Sequence, residues 1–337
     1  MAVSELQIKF YQDVRYISER LNQIFSLKFK KEIPHLSNPL MRWLDFRLRY
    51  VDVQPRKVIL SNAFPKKDLP TDAQNALHNF VKMIESGYDL NPYQGRGLKL
   101  RNDTSSDKCD ARTDLLWADW GIHHFHLSDE PIPQDRYFSK AADYLLFCLI
   151  FGDEVACIDV LRHPTKAGFA NDELIETMVE SWPDYMNQFK LNGILPDTEN
   201  KYKQDELHEL RASGIATCLT IKDDVYIGPG MGLTMASTSV KVAQTAARVG
   251  KLIRELATEV FDPKGIYAPK EIHLLSKSPD FSIVMTPRGL AVYEANTEYA
   301  FLLPHSSHEN DPKVMSLHDI IFPRWACEQL LLSIDGM

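Results

Sequence analysis

Three histidines lie within seven residues, in the stretch 121–127. If this stretch forms a β-strand, its side chains alternate between two faces, so that His124 and His126 share one face and His123 lies on the other. Two imidazoles about 7 Å apart along one face suit an acid/base pair, a metal pair or a phosphate-binding pair. We therefore interpret His124 and His126 as candidate site residues and His123 as a packing residue.

Two apolar stretches downstream must position these histidines. Residues 144–150 are continuously apolar, residues 155–161 form a second, mainly apolar run, and Gly152-Asp153 between them suits a tight reversal, which predicts two buried antiparallel strands. His163 ends the second strand and Lys166 follows it closely. A sheet built on this hairpin would gather both residues with the histidine pair on one rim.

The order of elements around the histidines resembles the RelE/ParE-like fold of bacterial ribonuclease toxins, over about residues 115–190. The elements that carry the resemblance are a polar strand, a connection with an arginine, a tight hairpin, a basic strand end and a helix. The resemblance implies metal-independent RNA cleavage, in which a base deprotonates the ribose 2′-OH and cations stabilise the phosphorane-like state. It assigns the following roles: base or acid for His124 or His126, phosphate ligand for Arg136 and Lys166, and stacking or proton transfer for Tyr137.

A metal site is the competing interpretation of the same residues. His124, His126 and Glu130 have the HxHx3E spacing that resembles the first metal motif of cupins, where two histidines and a carboxylate face one cation. His163 or Asp159 would complete the ligand set. This resemblance implies a metal-dependent hydrolase or oxygenase.

The loop Gly228-Pro-Gly-Met-Gly232 is the other conspicuous motif. It lacks the lysine of a Walker A loop and the spacing of a dinucleotide-binding fingerprint. We interpret it as a tight turn before a helix. The alternative is an anion site at the helix N-terminus, for which Lys241 is the nearby cation.

Composition and charge set the compartment and the classes of partner. The chain has 337 residues, 44% of them hydrophobic and 25% charged, as in soluble globular proteins. It contains no apolar run of about 18 residues, and its charged, amphipathic start is not a secretory signal, so a cytoplasmic protein is expected. Five widely spaced cysteines without a CxxC motif indicate a reducing compartment. Residues 1–101 hold 17 basic and 10 acidic residues, and this basic segment suits nucleic acid, an acidic partner or the acidic remainder of the chain.

Periodicity predicts an α+β protein. Amphipathic helices are expected at residues 3–27 and 71–87, and the polar stretch 88–110 is expected to be a connection or a mobile loop. The predicted regions are a basic helical N-terminal region at 1–110, a central antiparallel β-hairpin domain with the histidines at 111–196, and a C-terminal α/β domain at 197–337.

Three functions remain open from the sequence. The first is a bacterial toxin or phage-defence protein with metal-independent endoribonuclease activity. The second is a non-catalytic module that binds nucleic acid or protein and has structural histidines, and the third is the metal-dependent enzyme. The expected partners are RNA and an antitoxin or regulatory protein, with self-association left open. Neither a cofactor nor a membrane partner is expected.

Overall fold

The computed structural model describes residues 2–28, 38–100, 114–163, 172–194, 203–213, 215, 217–234, 238–262, 265, 267, 279–306 and 315–335. Two sequence predictions lie outside these ranges: the role of Lys166 and the connection at 101–110. The described residues confirm the α+β fold. Among them, no helix combines the length and the apolar character that crossing a membrane requires.

The described helices longer than one turn are α1 (Val3–Ile24), α2 (Pro39–Arg49), α3 (Thr71–Ser86), α4 (Leu115–Trp120), α5 (Glu173–Ser181), α6 (Pro183–Met186), α7 (Gln204–Ala212), α8 (Val240–Glu259), α9 (Leu317–Ile321) and α10 (Arg324–Asp335). The described strands are β1 (Lys57–Leu60), β2 (His123–His126), β3 (Tyr144–Ile150), β4 (Glu154–Arg162), β5 (Cys218–Ile221), β6 (Asp224–Ile227), β7 (Phe281–Thr286), β8 (Gly289–Glu294) and β9 (Tyr299–Leu302).

The chain divides into two compact units. Arg49–Lys241 forms one, here called the central unit. Met1–Leu48 and Val242–Met337 together form the other, here called the terminal unit. These boundaries differ from the divisions drawn on the sequence at residues 110 and 196, because the two ends of the chain belong to one unit.

The central unit is built on a four-stranded sheet in the order β1-β4-β3-β2. β1 pairs parallel to β4, and the other two pairings are antiparallel. The predicted hairpin is confirmed as β3 and β4, and the histidine stretch is confirmed as the edge strand β2.

Both faces of this sheet are covered. The face that carries Phe147 packs against apolar residues of α5, such as Ile175, and the face that carries Leu146 packs against α3, including Phe80. A strand buried on both faces needs apolar residues at consecutive positions, which explains the continuous apolar run of β3.

The terminal unit is a separate assembly of helices and an antiparallel sheet. β7, β8 and β9 form a three-stranded antiparallel meander. α1 buries its apolar face, formed by Leu6, Phe10, Val14, Ile17 and Leu21. The indole of Trp43 donates a hydrogen bond of 2.9 Å to the carbonyl of Ile321, so it is both packed and satisfied.

The segment that follows α3, predicted to be a connection or a mobile loop, is a connection whose first part contains short helical turns. Residues 91–98, here called the pinned segment, contain the two 3-10 turns Asn91–Tyr93 and Arg96–Leu98. The fully buried Asn91 side chain accepts from the N–H of Val51 and donates to its carbonyl, both at 2.8 Å. Gln94 donates to the carbonyl of Arg49 at 3.0 Å. The segment is therefore held by hydrogen bonds from side-chain amides to distant backbone groups. Such bonds leave no hydrophobic periodicity in the sequence.

Replacing Asn91 by leucine is expected to destabilise the central unit by about 2–4 kcal/mol, because it leaves the buried N–H and C=O of Val51 without their partners. Urea unfolding measures the change. Asn75 is exposed on α3, and Asn75→Leu serves as the control, with an expected change within about 0.5 kcal/mol. Equal effects of the two substitutions would show that the amide bonds do not hold the segment.

Candidate functional site

Strand β2 presents its histidines on two faces, as predicted. His124 lies opposite Phe147 of β3 and His126 lies opposite Leu145, so these two histidines share a face. His123 is buried on the other face, where its ring stacks on Phe125 at a centroid distance of 6.2 Å and an interplanar angle of 10°. The interpretation of His123 as a packing residue is therefore confirmed.

His124 is paired with an aspartate that the sequence analysis did not identify. Its Nδ1 atom lies 2.9 Å from Oδ2 of Asp114, and both side chains are largely buried. Asp114 is the N-cap of α4 and accepts from the N–H of Trp117 at 3.0 Å, which fixes the carboxylate. Burial opposes its charge, but His124, then Arg49 and the Trp117 N–H, hold the pKa of Asp114 at about 2. His124 and Asp114 are here called the dyad.

The second nitrogen of His124 faces the pinned segment. A Cβ atom at Gly95 would lie 3.4 Å from His124 Nε2, so the absence of a side chain at this position leaves space beside that nitrogen. The neighbouring residue Gly97 accepts at its carbonyl from Nη1 of Arg49 at 3.4 Å. The pinned segment thus lies beside the dyad and contacts a buried arginine.

Positive charge surrounds the dyad. Arg49 is 5% exposed, and its charge acts on both Asp114 and His123. Arg96 is exposed, and its charge acts on His126. Two arginines that flank an oriented imidazole form an environment suited to an anionic substrate.

His126 and His163 lie together, as the hairpin predicts. Their rings stack at a centroid distance of 5.6 Å and an angle of 21°. His126 Nδ1 accepts from the N–H of Ala142 at 3.2 Å. Burial, followed by the charges of His124 and His163, lowers the pKa of His126 to about 4, so its imidazole is neutral near pH 7. Because Nδ1 accepts, the proton of the neutral ring is on Nε2.

Of the two other residues suggested by the toxin resemblance, Arg136 lies in an exposed turn and Tyr137 lies against Lys99. Arg136 is exposed in a turn closed by its own N–H and the Pro133 carbonyl at 2.9 Å, and no hydrogen bond or ion pair joins it to any described histidine. Tyr137 has Lys99 Nζ 4.0 Å from the centre of its ring. Burial is the main reason that the pKa of Tyr137 is raised. The structure therefore places Arg49 and Arg96, rather than Arg136, beside the dyad.

The residues of the metal alternative do not converge. Glu130 is exposed and pairs with Lys140 at 2.6 Å. The carboxylate of Asp159 is buried and accepts from the N–H groups of Lys66 and Val160. Throughout the part of the chain that the structure describes, no three histidine, cysteine or acidic side chains are arranged to hold a metal ion.

The Gly228–Gly232 loop is a turn that packs against the end of α4. The N–H of Gly230 donates to the Asp119 carbonyl at 2.8 Å, and the N–H of Gly232 donates to the Ala118 carbonyl at 3.1 Å. A Cβ atom at Gly228 or Gly230 would overlap one of these carbonyl oxygens. The glycines therefore permit a close backbone approach that holds α4, and with it Asp114, in place.

Acid is expected to destabilise the central unit through His123. Burial first, then Lys241, lowers the pKa of His123 to about 3 in the fold, against 6.5 for an ordinary histidine. The unfolded chain therefore takes up this proton first as the pH falls. The resulting loss of unfolding free energy is about 1.4 kcal/mol per pH unit between pH 6.5 and 3. Urea midpoints measured across this range should fall less steeply for His123→Phe than for the wild type, and an unchanged slope would contradict the assignment.

The fold and site define a class: an α+β protein in which an aspartate orients one histidine, His124, and two further histidines, His126 and His163, stack on each other beside arginines. No protein-family model matches the sequence, and neither curated proteins nor solved structures show a significant similarity to the chain. The functional argument therefore depends on the geometry of the site.

Proposed function

We propose that the central unit cleaves RNA without a metal ion and that His124 is the general base. The observation that carries this proposal is the dyad, in which Oδ2 of Asp114 lies 2.9 Å from Nδ1 of His124 and a Cβ atom at Gly95 would lie 3.4 Å from Nε2. Such an imidazole is oriented and polarised before any substrate arrives.

Asp114 performs two tasks in this proposal. Its carboxylate holds Nδ1 of His124, so that Nε2 is the atom that takes the proton of a ribose 2′-OH in the proposed reaction. It also stabilises the imidazolium that forms, because its low pKa keeps the carboxylate charged. The 2′ oxygen then attacks the adjacent phosphorus, the bond from phosphorus to the 5′ oxygen breaks, and a 2′,3′-cyclic phosphate results.

The other side chains stabilise charge in this reaction. Neutral His126 donates from Nε2–H to a non-bridging phosphoryl oxygen, and the guanidinium groups of Arg49 and Arg96 balance the charge of the phosphorane-like state. His163 is exposed and stacked on His126. In the proposed reaction it supplies the proton to the leaving 5′ oxygen.

RNA is the substrate class that this chemistry favours. The 2′-OH supplies the nucleophile within the substrate, so that one oriented base suffices to activate it. The arginines match the phosphate group, and the RelE/ParE-like order of elements agrees with the same reaction. A cellular role as a growth-arresting toxin or defence protein follows from such an activity.

Filling the space at Gly95 is expected to abolish cleavage without unfolding the protein. Gly95 has φ −60° and ψ 145°, a backbone conformation that other residues adopt readily. Gly95→Leu would cover His124 Nε2, and kcat/KM for RNA should fall by about 100-fold. A Cβ atom at Gly97 would make only an ordinary contact at 3.9 Å with Arg49, so Gly97→Ala is the control and should remain active. Full activity of Gly95→Leu would place the substrate elsewhere.

The experiment that tests the proposed function is cleavage of labelled RNA and DNA oligonucleotides of the same sequences by the full chain in excess EDTA. RNA is expected to be cut to products that end in a 2′,3′-cyclic phosphate, and DNA is expected to stay intact. Induced expression in a bacterium should arrest growth, and His124→Ala should relieve the arrest. Intact RNA together with normal growth would overturn the proposal.

A further inference from the structure

The terminal unit contains a second histidine held by an aspartate, separate from the site described above. His305 Nδ1 lies 2.9 Å from Oδ1 of Asp319. The His305 side chain is 52% exposed, whereas that of Asp319 is only 5% exposed. One nitrogen of an accessible imidazole is therefore occupied by a buried carboxylate, and Nε2 remains for chemistry.

Asp319 is fixed and charged. Its Oδ2 accepts from the N–H of Ser306 at 2.7 Å and from the hydroxyl of Ser316 at 2.8 Å. Burial disfavours the charge, but the hydrogen bonds from Ser306, His305 and Ser316 lower the pKa of Asp319. The two hydrogen bonds from Ser306 and Ser316 satisfy Oδ2 of Asp319. Oδ1, the other carboxylate oxygen, faces the imidazole of His305.

A second, buried histidine supports the ring of His305. The centroids of the His305 and His318 rings are 4.0 Å apart. His318 is 2% exposed and its Nδ1 lies 3.3 Å from the Leu303 carbonyl, which fixes its orientation. A Cβ atom at Gly289 would overlap the His318 ring, so the glycine makes room for this support. The ring of His305 is exposed, and only the ring of His318 is buried. Burial of apolar surface therefore does not explain why the His305 ring is held in place.

From this geometry we infer that His305 is a nucleophilic histidine that accepts a phosphoryl group at Nε2 from a small phosphoryl donor with a good leaving group. With N-protonated phosphoramidate as the donor, the Nε2 lone pair forms the new N–P bond, and the P–N bond of the donor breaks as ammonia leaves with the electron pair of that bond. The Nδ1 proton stays on the ring. Asp319 accepts its hydrogen bond and balances the positive charge of the phosphorylated imidazole.

Phosphorylation of the full chain by phosphoramidate at neutral pH, followed by site mapping under alkaline conditions, tests this inference. His78 is an exposed histidine on α3, and no aspartate or glutamate pairs with it among the described residues. His305 should be labelled about tenfold faster than His78, or more. Asp319→Asn should slow labelling of His305 and leave His78 unchanged.

The comparison of His305 with His78 within one wild-type molecule is decisive even if Asp319→Asn fails to fold. Labelling of His305 at the rate of His78, or no faster, would overturn the inference. His305→Gln should remove the fast phosphoryl label while leaving the thermal unfolding midpoint close to that of the wild type. A fast label that persists in His305→Gln would place the reactive nitrogen on another residue.

Discussion

His124→Ala is expected to reduce kcat/KM for RNA cleavage by about 10²- to 10⁴-fold, the usual contribution of a positioned general base. The loss should appear in kcat, with little change in KM, because the dyad acts on the proton that moves in the reaction and the arginines contribute to binding. Steady-state cleavage of a fluorogenic RNA measures both constants. The exposed histidine His78 gives the matched control, since His78→Ala removes an imidazole that is not part of the dyad.

Asp114→Asn should lower kcat about 100-fold, because the amide no longer stabilises the imidazolium of His124. Asparagine retains the oxygen that caps α4, so the fold should persist and circular dichroism should not change. An Asp114→Asn variant with wild-type kcat would show that the 2.9 Å contact is structural only.

Gly230→Ala is expected to lower the unfolding free energy of the central unit by about 3 kcal/mol. The added Cβ overlaps the Ala118 carbonyl, and that atom belongs to helix backbone that cannot rotate away. The end of α4 must shift, and the N-cap Asp114 is on the same helix. Thermal unfolding measures the loss, and RNA cleavage should fall in parallel.

Gly97→Ala provides the comparison within the same unit, because its added Cβ makes only an ordinary contact. A similar unfolding midpoint for Gly230→Ala and Gly97→Ala would contradict the role of the loop as the support of α4.

Local patterns were sufficient to predict the elements that carry the histidines. The apolar run of β3 is continuous because both faces of the sheet are buried, and alternation along β2 places His124 and His126 together. These predictions depend on residues adjacent in the chain or on one strand pair. The pairing of β2, β3 and β4 then places His163 beside His126, so that this contact follows from the predicted strands.

The partners of the dyad could not be predicted in the same way, because they come from distant parts of the chain. Arg49 and Gly95 reach the site through the amide bonds of Asn91 and Gln94, and no periodicity marks such bonds. The one local signal was Asp114, an aspartate directly before a short helix that leads into β2. Arg136 was chosen by the order of elements alone, and its backbone turn carries it into solvent.

The most direct test of the central claim uses a DNA oligonucleotide with a single ribonucleotide, incubated with the full chain in excess EDTA. One cut is expected, directly 3′ of the ribonucleotide, which leaves a 2′,3′-cyclic phosphate, and no cut is expected with His124→Ala. Cleavage of the all-deoxy strand, or an equal rate with His124→Ala, would contradict the assignment of His124 as the base that activates the 2′-OH.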